Sequence, residues 1–382
     1  MKKAEAILVL PSWYPSRVDN FAGDFIQRHV HAIALFKKQF VLYVIKDLKA
    51  NKRKEICIHE HQKFTEKIIY YRPIVSGVGF IDKIISHRSY MRLMKNAVKE
   101  FITAEGLPKM VHVHVGMKAG MNALWIKKKW GTPYIVSEHW SGYLSQTPEY
   151  VCRANLWFKK QLARVLINAS CVTGVSQYLT KAIQAFQPVT ERVVVPNVVD
   201  TKIFSHLPIV KEKIFIHAST MNYPKNVEAI IHAMAEVNKV FGDAQLHLFG
   251  QMPVNIKLLI KTLHLENTVI YKGEVSQQEL ANAMQAATVL ILYSRYETFG
   301  CVIIEAHACK LPVIVSDLPV FHELVLENKN GVFVEPDAHK KLAEKMIGIM
   351  QTRFEKKNFN VEQYTYEAVG KKFKDIYESL SI

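Results

Sequence analysis

The sequence has no GxGxxG run opening a helix and no GxxxxGK[ST] loop. It thus lacks the phosphate cradles of nicotinamide enzymes and of P-loop nucleotidases. No apolar run approaches the ~18–20 residues of a membrane-spanning helix. The N-terminus starts with two lysines and then apolar residues, but the apolar core stops at Pro11. That is shorter than the roughly 7–15 residues of a secretory signal, so 6–10 reads as a first buried strand. The five cysteines (Cys57, Cys152, Cys171, Cys301 and Cys309) are odd in number, scattered and without a CxxC pair. Free thiols in a reducing cytosol are the simplest reading. Low-complexity segments and short repeats are also missing. His112 and His114 share one face of a strand, as metal ligands do, but no third ligand has suggestive spacing. No metal is therefore expected, and the run 59–61 reads as a polar loop.

What is present is an ordinary globular composition with unevenly spread charge. The chain has 382 residues, 49% hydrophobic and 22% charged, which excludes disorder and implies two domains. The net charge is +16, and residues 1–196 hold 30 Lys and Arg against 13 Asp and Glu. Residues 197–382 hold 20 against 21, so all of the excess lies in the N-terminal half. Such asymmetry points to an anionic partner for that half. Nucleic acid and an anionic membrane surface both fit.

Both halves alternate short β-branched runs with longer helical stretches. Runs at 6–10, 40–45, 67–71, 110–115, 134–137 and 171–175 read as strands, with helices at 24–35, 83–105, 121–130 and 156–168. The second half repeats the pattern with strands at 213–218, 245–249, 269–271, 289–293, 313–315 and 331–334. Its helices read as 226–241, 277–285, 300–309 and 340–352, and a final amphipathic helix covers 364–380. This alternation predicts an α/β chain with two Rossmann-like, doubly wound parallel sheets facing across a cleft. The boundary is expected at the proline and asparagine after Val195, giving domains 1–195 and 196–363, with 364–382 packing back on the first.

The segment 291–305 carries the clearest chemistry. A buried strand ends near Tyr293, a polar loop follows, and Gly300 opens a helix. Ligands of open α/β sheets bind where such loops leave the carboxyl ends of strands. The first amides of the helix can cradle a diphosphate, assisted by the helix dipole. Glu305 lies about a turn and a half into the helix, where its carboxylate can accept both hydroxyls of a ribose. It is flanked by Val302, Ile303, Ile304 and Ala306, and a carboxylate in so apolar a setting needs a partner. Glu297 sits in the loop, placed to meet a sugar.

Glu297 and Glu305, with Phe299 and Gly300 between them, resemble the donor-site motif of the retaining GT-B glycosyltransferases of family 4. The resemblance covers most of the chain. VVPNVVD at 194–200 with Phe204 is similar to that family's interdomain segment, and Lys225-Asn226 to the pair that opens a helix after the first strand of the C-terminal domain. HLFG at 247–250, KGEV at 272–275, ACKLPV at 308–313, GVS at 174–176 and EHW at 138–140 match further blocks in order. The resemblance implies a GT-B fold and a hexosyl transfer from a nucleotide-diphosphate sugar to a glycan or lipid-linked acceptor, in cell-surface polysaccharide biosynthesis. It implies no cofactor, no metal and no nucleic-acid partner.

Residue by residue, the resemblance gives Glu305 the donor ribose. It gives Glu297, with the backbone of Phe299, Gly300, Cys301 and Val302, the donor sugar. Lys225 would neutralise the leaving diphosphate, and Lys272 or Val275 would lie near the base. His139 would sit near acceptor and sugar. Asn197 belongs to the matched interdomain segment on the donor side, and Gly23 would approach phosphates or acceptor through its backbone. Closure of the domains would exclude water, and the departing phosphate oxygen would take the acceptor proton on the same face. Two positions depart from the pattern. Ser219 stands where the family has a second phosphate cation, a role left to Arg295 or to a cation of the other domain. Lys310 stands where the family has a glycine after the donor helix, and a left-handed cap there costs about 1–2 kcal/mol.

The helix at 83–105 pairs Lys83, Arg88, Arg92, Lys95 and Lys99 with Ile84, Ile85, Tyr90, Met91, Leu93 and Met94. A basic amphipathic stretch of this kind suits an anionic membrane surface, with the protein cytoplasmic and peripheral on the inner face, and it equally suits a core-facing helix with a solvated basic face. Other readings are a non-catalytic GT-B protein that binds a nucleotide or glycan, and another GT-B enzyme such as a phosphorylase or sugar epimerase.

Overall fold

The computed structural model describes residues 2–207, 213–351 and 359–380. The chain forms two compact units, Met1–Val198 with Tyr366–Ile382, and Val199–Thr365. In the first unit the strands are β1 (Lys3–Ala4), β2 (Ile7–Pro11), β3 (Gln39–Lys46), β4 (Lys54–Glu60), β5 (Phe64–Tyr71), β6 (Leu107–Pro108), β7 (Val111–His114), β8 (Tyr134–Glu138), β9 (Cys171–Gly174) and β10 (Arg192–Val194). Its helices are α1 (Asp24–Ala34), α2 (Gly79–Glu105), α3 (Lys118–Trp130), α4 (Leu156–Ile167) and α5 (Gln177–Phe186). The main sheet runs β10-β9-β8-β7-β2-β3-β5-β4, with β1 and β6 paired separately. All of its pairings are parallel except β4 on β5. Every residue of β2, β7, β8 and β9 is buried. Strands in the middle of a parallel sheet are covered on both faces and so read as continuous apolar runs.

The second unit holds β11 (Ile214–Ala218), β12 (Gln245–Phe249), β13 (Val269–Gly273), β14 (Val289–Leu292), β15 (Val313–Ser316) and β16 (Gly331–Val334). Its helices are α6 (Val227–Val240), α7 (Val254–Thr262), α8 (Gln277–Ala286), α9 (Cys301–Ala308) and α10 (His339–Gln351). The order β13-β12-β11-β14-β15-β16 is the doubly wound pattern 3-2-1-4-5-6. The order reverses between β11 and β14, so the loops that follow these two strands flank the switch point.

The last helix, α11 (Tyr366–Ser379), belongs to the first unit. Val369, Phe373, Ile376 and Tyr377 share one helical stripe and join that unit's core with Val9, Ile26 and Val30. Gly370 lets the helix lie against α1, where a Cβ would come within 2.2 Å of the Ala32 carbonyl oxygen.

The division falls after Val198, three residues beyond the expected 195, and again after Thr365. Val195 and Val198 are both buried in the core of the first unit. Tyr364 accepts from the amide of Val199 at 2.9 Å and stays with the second. Other expectations change as well. Residues 59 and 60 belong to the edge strand β4 rather than to a loop. The helices α5 and α7 were not anticipated, and α2 starts four residues earlier than expected. The expected helix end at Thr352 lies outside the described residues, as do 381 and 382.

Candidate active site

The loop after β14 is pinned from three sides. The Tyr293 hydroxyl donates to the Glu335 carbonyl and accepts from the Ala338 amide at 2.8 Å. Ser316 Oγ donates to the Ser294 carbonyl at 2.6 Å. The Arg295 amide donates to the Pro224 carbonyl at 2.7 Å, tying this loop to the one after β11. The two loops thereby bring Lys225 and Glu297 into an ion pair between Lys225 Nζ and Glu297 Oε1. Both side chains are largely buried, at 22% and 12% exposure. Ser294 Oγ lies 3.4 Å from the same carboxylate oxygen.

Asn226 holds Lys225 in place. It adopts a left-handed conformation with φ 49° and ψ 41° between a 3-10 turn and α6. Asparagine tolerates that region better than most residues with a Cβ. Gly300 does the same for the helix that follows the β14 loop. At φ 95° it is the N-cap of α9, and a Cβ there would stand 3.0 Å from the Phe321 ring. Phe299 is buried against the Tyr364 ring, 5.9 Å away, while Cys301 and Val302 open the helix half-buried. Glu305 lies deeper in α9, 5% exposed among Ile303, Ile304 and Ala306. At the other end of α9, Lys310 takes φ 52° and the Leu311 amide donates to the Ala306 carbonyl at 2.8 Å. This is a left-handed helix cap built without glycine.

Ser219 is committed to its own loop. Its Oγ bonds His217 Nε2 at 2.6 Å and accepts from the Met221 amide at 2.9 Å. Arg295 places its guanidinium over the Tyr223 ring at 4.4 Å and donates to the Tyr223 carbonyl at 2.6 Å. A second cation therefore sits beside the 3-10 turn that carries Lys225. Lys272 is exposed near the end of β13, and Val275 is half-buried just beyond it.

The remaining candidates lie in the first unit. Gly23 is the N-cap of α1 at φ 71°, and a Cβ there would come within 2.7 Å of the Trp13 carbonyl. The packing of its own loop is enough to require glycine. His139 is buried beside Phe25, with ring centroids 4.7 Å apart, and near His29 and His114. Burial, with repulsion from His29 and His112, lowers its pKa well below the usual histidine value. Asn197 is buried nearby. A hydrogen bond to its carboxamide pulls the His139 pKa the other way.

Two groups that the sequence reading did not assign also stand out. Glu138 is buried, and desolvation raises its pKa to about 7. Its Oε1 accepts from the Gly116 amide at 2.8 Å and from the Tyr143 hydroxyl at 2.9 Å. Arg17 lines a cavity of about 730 Å³ with Lys46, Asp47, Lys49 and Lys52. It pairs with Asp47 at 2.9 Å and forks onto Glu55 at 2.6 and 2.9 Å. Neither was legible as a site, because Arg17 and Glu55 are far apart in the chain and one buried glutamate looks like any other.

The helix α2 turns part of the apolar face expected over 83–105 into the core. Tyr90 and Met94 are buried in the first unit rather than available to a surface. The exposed apolar residues are Ile74, Val75, Val78, Phe80, Ile81 and Ile84, beside exposed Lys83 and Arg88. Among the described residues, no helix is long and apolar enough to cross a membrane.

Known proteins resemble the chain in sequence and in fold. Residues 198–368 match the family model described as glycosyl transferases group 1, and 53–203 match the model of glycosyltransferase family 4. N-acetyl-alpha-D-glucosaminyl L-malate synthase of Bacillus anthracis is 28% identical over 175 residues, spanning 44% of this chain and 45% of that protein. The chain thus spans less than half the length of that relative. Alpha-monoglucosyldiacylglycerol synthase of Streptococcus pneumoniae is 21% identical over 331 residues, 80% of this chain and 73% of its own. Among solved structures, sucrose-phosphate synthase of Thermosynechococcus elongatus superposes with a TM-score of 0.76 at 18% identity, covering 98% of this chain and 99% of that one. HepE of Anabaena, solved with UDP and glucose, gives 0.72 at 17% identity over 98% and 100%.

Proposed function

We propose that this chain, which belongs to the group 1 glycosyltransferases of family 4 and has the GT-B fold, moves a hexosyl unit with retention from a nucleotide-diphosphate sugar. The acceptor is a glycan or lipid-linked glycan of cell-surface polysaccharide biosynthesis. The observation that carries this reading is the Lys225–Glu297 ion pair at the switch point of the second sheet, beside the amino end of α9. A cation, a carboxylate and a helix start at one strand-end crevice suit a sugar diphosphate.

In this reading the diphosphate displaces Glu297 from Lys225. The lysine and the first amides of α9 then offset the charge that develops as the sugar–phosphate bond breaks. Glu297, released, meets the hydroxyls of the sugar, and Glu305 accepts from the ribose. Lys272 and Val275 flank the base. The bond from the anomeric carbon to the acceptor oxygen forms on the face that the phosphate leaves, and the phosphate oxygen takes the acceptor proton. Charge is handled by Lys225 and the helix, so the transfer calls for no metal. Asn197, Gly23 and His139 keep their acceptor- and donor-side roles on the family resemblance alone.

The proposed place of work is the cytoplasmic face of a membrane. Supporting it are the five free cysteines, the basic first half, and the exposed apolar residues 74–84 beside Lys83 and Arg88. The names of relatives point the same way: one is a glucosyldiacylglycerol synthase, another a poly(ribitol-phosphate) N-acetylglucosaminyltransferase. Sedimentation with anionic and neutral vesicles at low and high salt checks this part, and salt-insensitive or absent binding counts against it.

A second reading is a non-catalytic nucleotide or glycan binder. It is favoured by Ser219, whose hydroxyl is spent within its own loop. A panel of nucleotide sugars separates the two. Slow release of one nucleotide diphosphate, lost in Glu297→Ala, supports the enzyme. Binding without turnover, even with extracted lipid acceptors, supports the binder.

A further inference from the structure

Three histidines from distant parts of the first unit converge in its core. They are His29 of α1, His114 at the end of β7 and His139 just after β8. One ring nitrogen from each lies within 4.8 Å of the other two. All three residues are at most 6% exposed. His114 Nδ1 and His139 Nε2 are 3.4 Å apart. Two imidazole nitrogens bound to one tetrahedral zinc at about 2.0–2.1 Å stand roughly 3.3–3.4 Å apart.

The outer contact of His29 is that of a ligand. His29 Nε2 is 3.0 Å from the Pro196 carbonyl oxygen, which can only accept. The proton therefore sits on Nε2, and Nδ1 carries a lone pair with no partner. A histidine that donates one ring N–H to a backbone carbonyl is oriented and primed to ligate through the other nitrogen. A buried polar atom left unsatisfied costs about 1–3 kcal/mol, and a metal ion would give His29 Nδ1 its partner. His112 backs the group with its ring stacked on His114 at 4.1 Å. It is not a ligand, because its own nitrogens bond Tyr377 and Ser137 at 2.8 Å.

We propose that His29, His114 and His139 form a binding site for a divalent late first-row metal ion of the zinc type. An imidazole set with no carboxylate favours Zn²⁺, Cu²⁺ or Ni²⁺ over Mg²⁺ and Ca²⁺. A water supplies the fourth position. Spacing around His112 and His114 suggests no third ligand; the fold instead brings His114 together with residues 85 positions before it and 25 positions after it. The site lies wholly in the first unit and shares His139 with the proposed transfer site, but metal binding is read directly and needs no activity assay.

The test uses the full chain, stripped with a chelator and titrated with Co²⁺ in a non-coordinating buffer. The expected result is one Co²⁺ per chain with ligand-field bands of four-coordinate nitrogen and oxygen ligation, displaced by Zn²⁺ and unaffected by excess Mg²⁺. His29→Gln is expected to weaken binding by at least the roughly 10–100-fold that loss of an outer-shell partner costs. His322→Gln, on the surface of the second unit, is expected to leave it unchanged. Intense thiolate charge-transfer bands, no stoichiometric binding, or unchanged affinity in His29→Gln would each overturn the proposal. Should His29→Gln fail to fold, the spectrum and stoichiometry of the unmodified chain decide the matter alone.

Discussion

The two units share one architecture and treat charge in opposite ways. In the second, the loops after β11 and β14 hold Lys225 and Glu297 as an ion pair, largely buried. In the first, the ends of β7 and β8 carry His114, Glu138 and His139. Burial drives the two histidines toward the neutral form and raises Glu138 to about 7. A doubly wound sheet fixes where functional groups gather. Whether they are charged depends on what each side chain finds beside it. Lys225 finds an opposite charge, whereas His139 finds other imidazoles and Phe25.

The largest expected effect lies in the second unit. Lys225→Ala should lower donor turnover by about 10²–10³, as removal of one transition-state charge partner does. Initial rates of nucleotide-diphosphate release measure it. A change below tenfold would remove the contrast between a charged working site and a neutral core.

The next two effects test the neutrality of the first unit. Glu138 ionises near 4.5 when unfolded and near 7 when folded. Its contribution is fully present below about pH 4.5 and is lost as pH rises to about 7. At about 1.36 kcal/mol per unit, the loss is on the order of 3 kcal/mol. Glu138→Gln should therefore stabilise the protein at pH 8 and not at pH 4, by denaturant melts at both. His29 runs the other way. Burial lowers its pKa from 6.5 to about 4, so its contribution is present above pH 6.5 and lost as pH falls through 4, again on the order of 3 kcal/mol. A flatter acid limb in His29→Gln, with both proteins stripped by a chelator, would show it.

The smallest effect is at the end of α9. Lys310→Gly relieves a left-handed non-glycine residue and should stabilise by about 1 kcal/mol, less whatever the unfolded chain gains in freedom. Thermal melts check it, with activity unchanged.

The sheets were legible because their central strands are buried on both faces, as in the runs 6–10 and 289–293. The edge strand β4 was not. In KEICIHE only Glu55 and Cys57 are partly covered and Ile56 and Ile58 are exposed, so the charged residues Lys54, Glu55 and Glu60 around them suit an edge and also read as a loop. In the donor loop, a strand, a glycine and two spaced carboxylates were visible in order. The Lys225–Glu297 contact was not, since 72 residues separate the partners. The histidine cluster was half visible in His112 and His114. His29 looked like one polar residue on an amphipathic helix until α1 packed it behind β7.

The most direct test of the central claim is the binding of a nucleotide diphosphate to the full chain and two variants, by calorimetry. If Lys225 neutralises the diphosphate and Glu297 serves the sugar, Lys225→Ala weakens binding at least tenfold. Glu297→Ala, which frees the lysine, leaves binding equal or tighter. Equal affinity in Lys225→Ala, or a matching loss in both variants, would contradict the account.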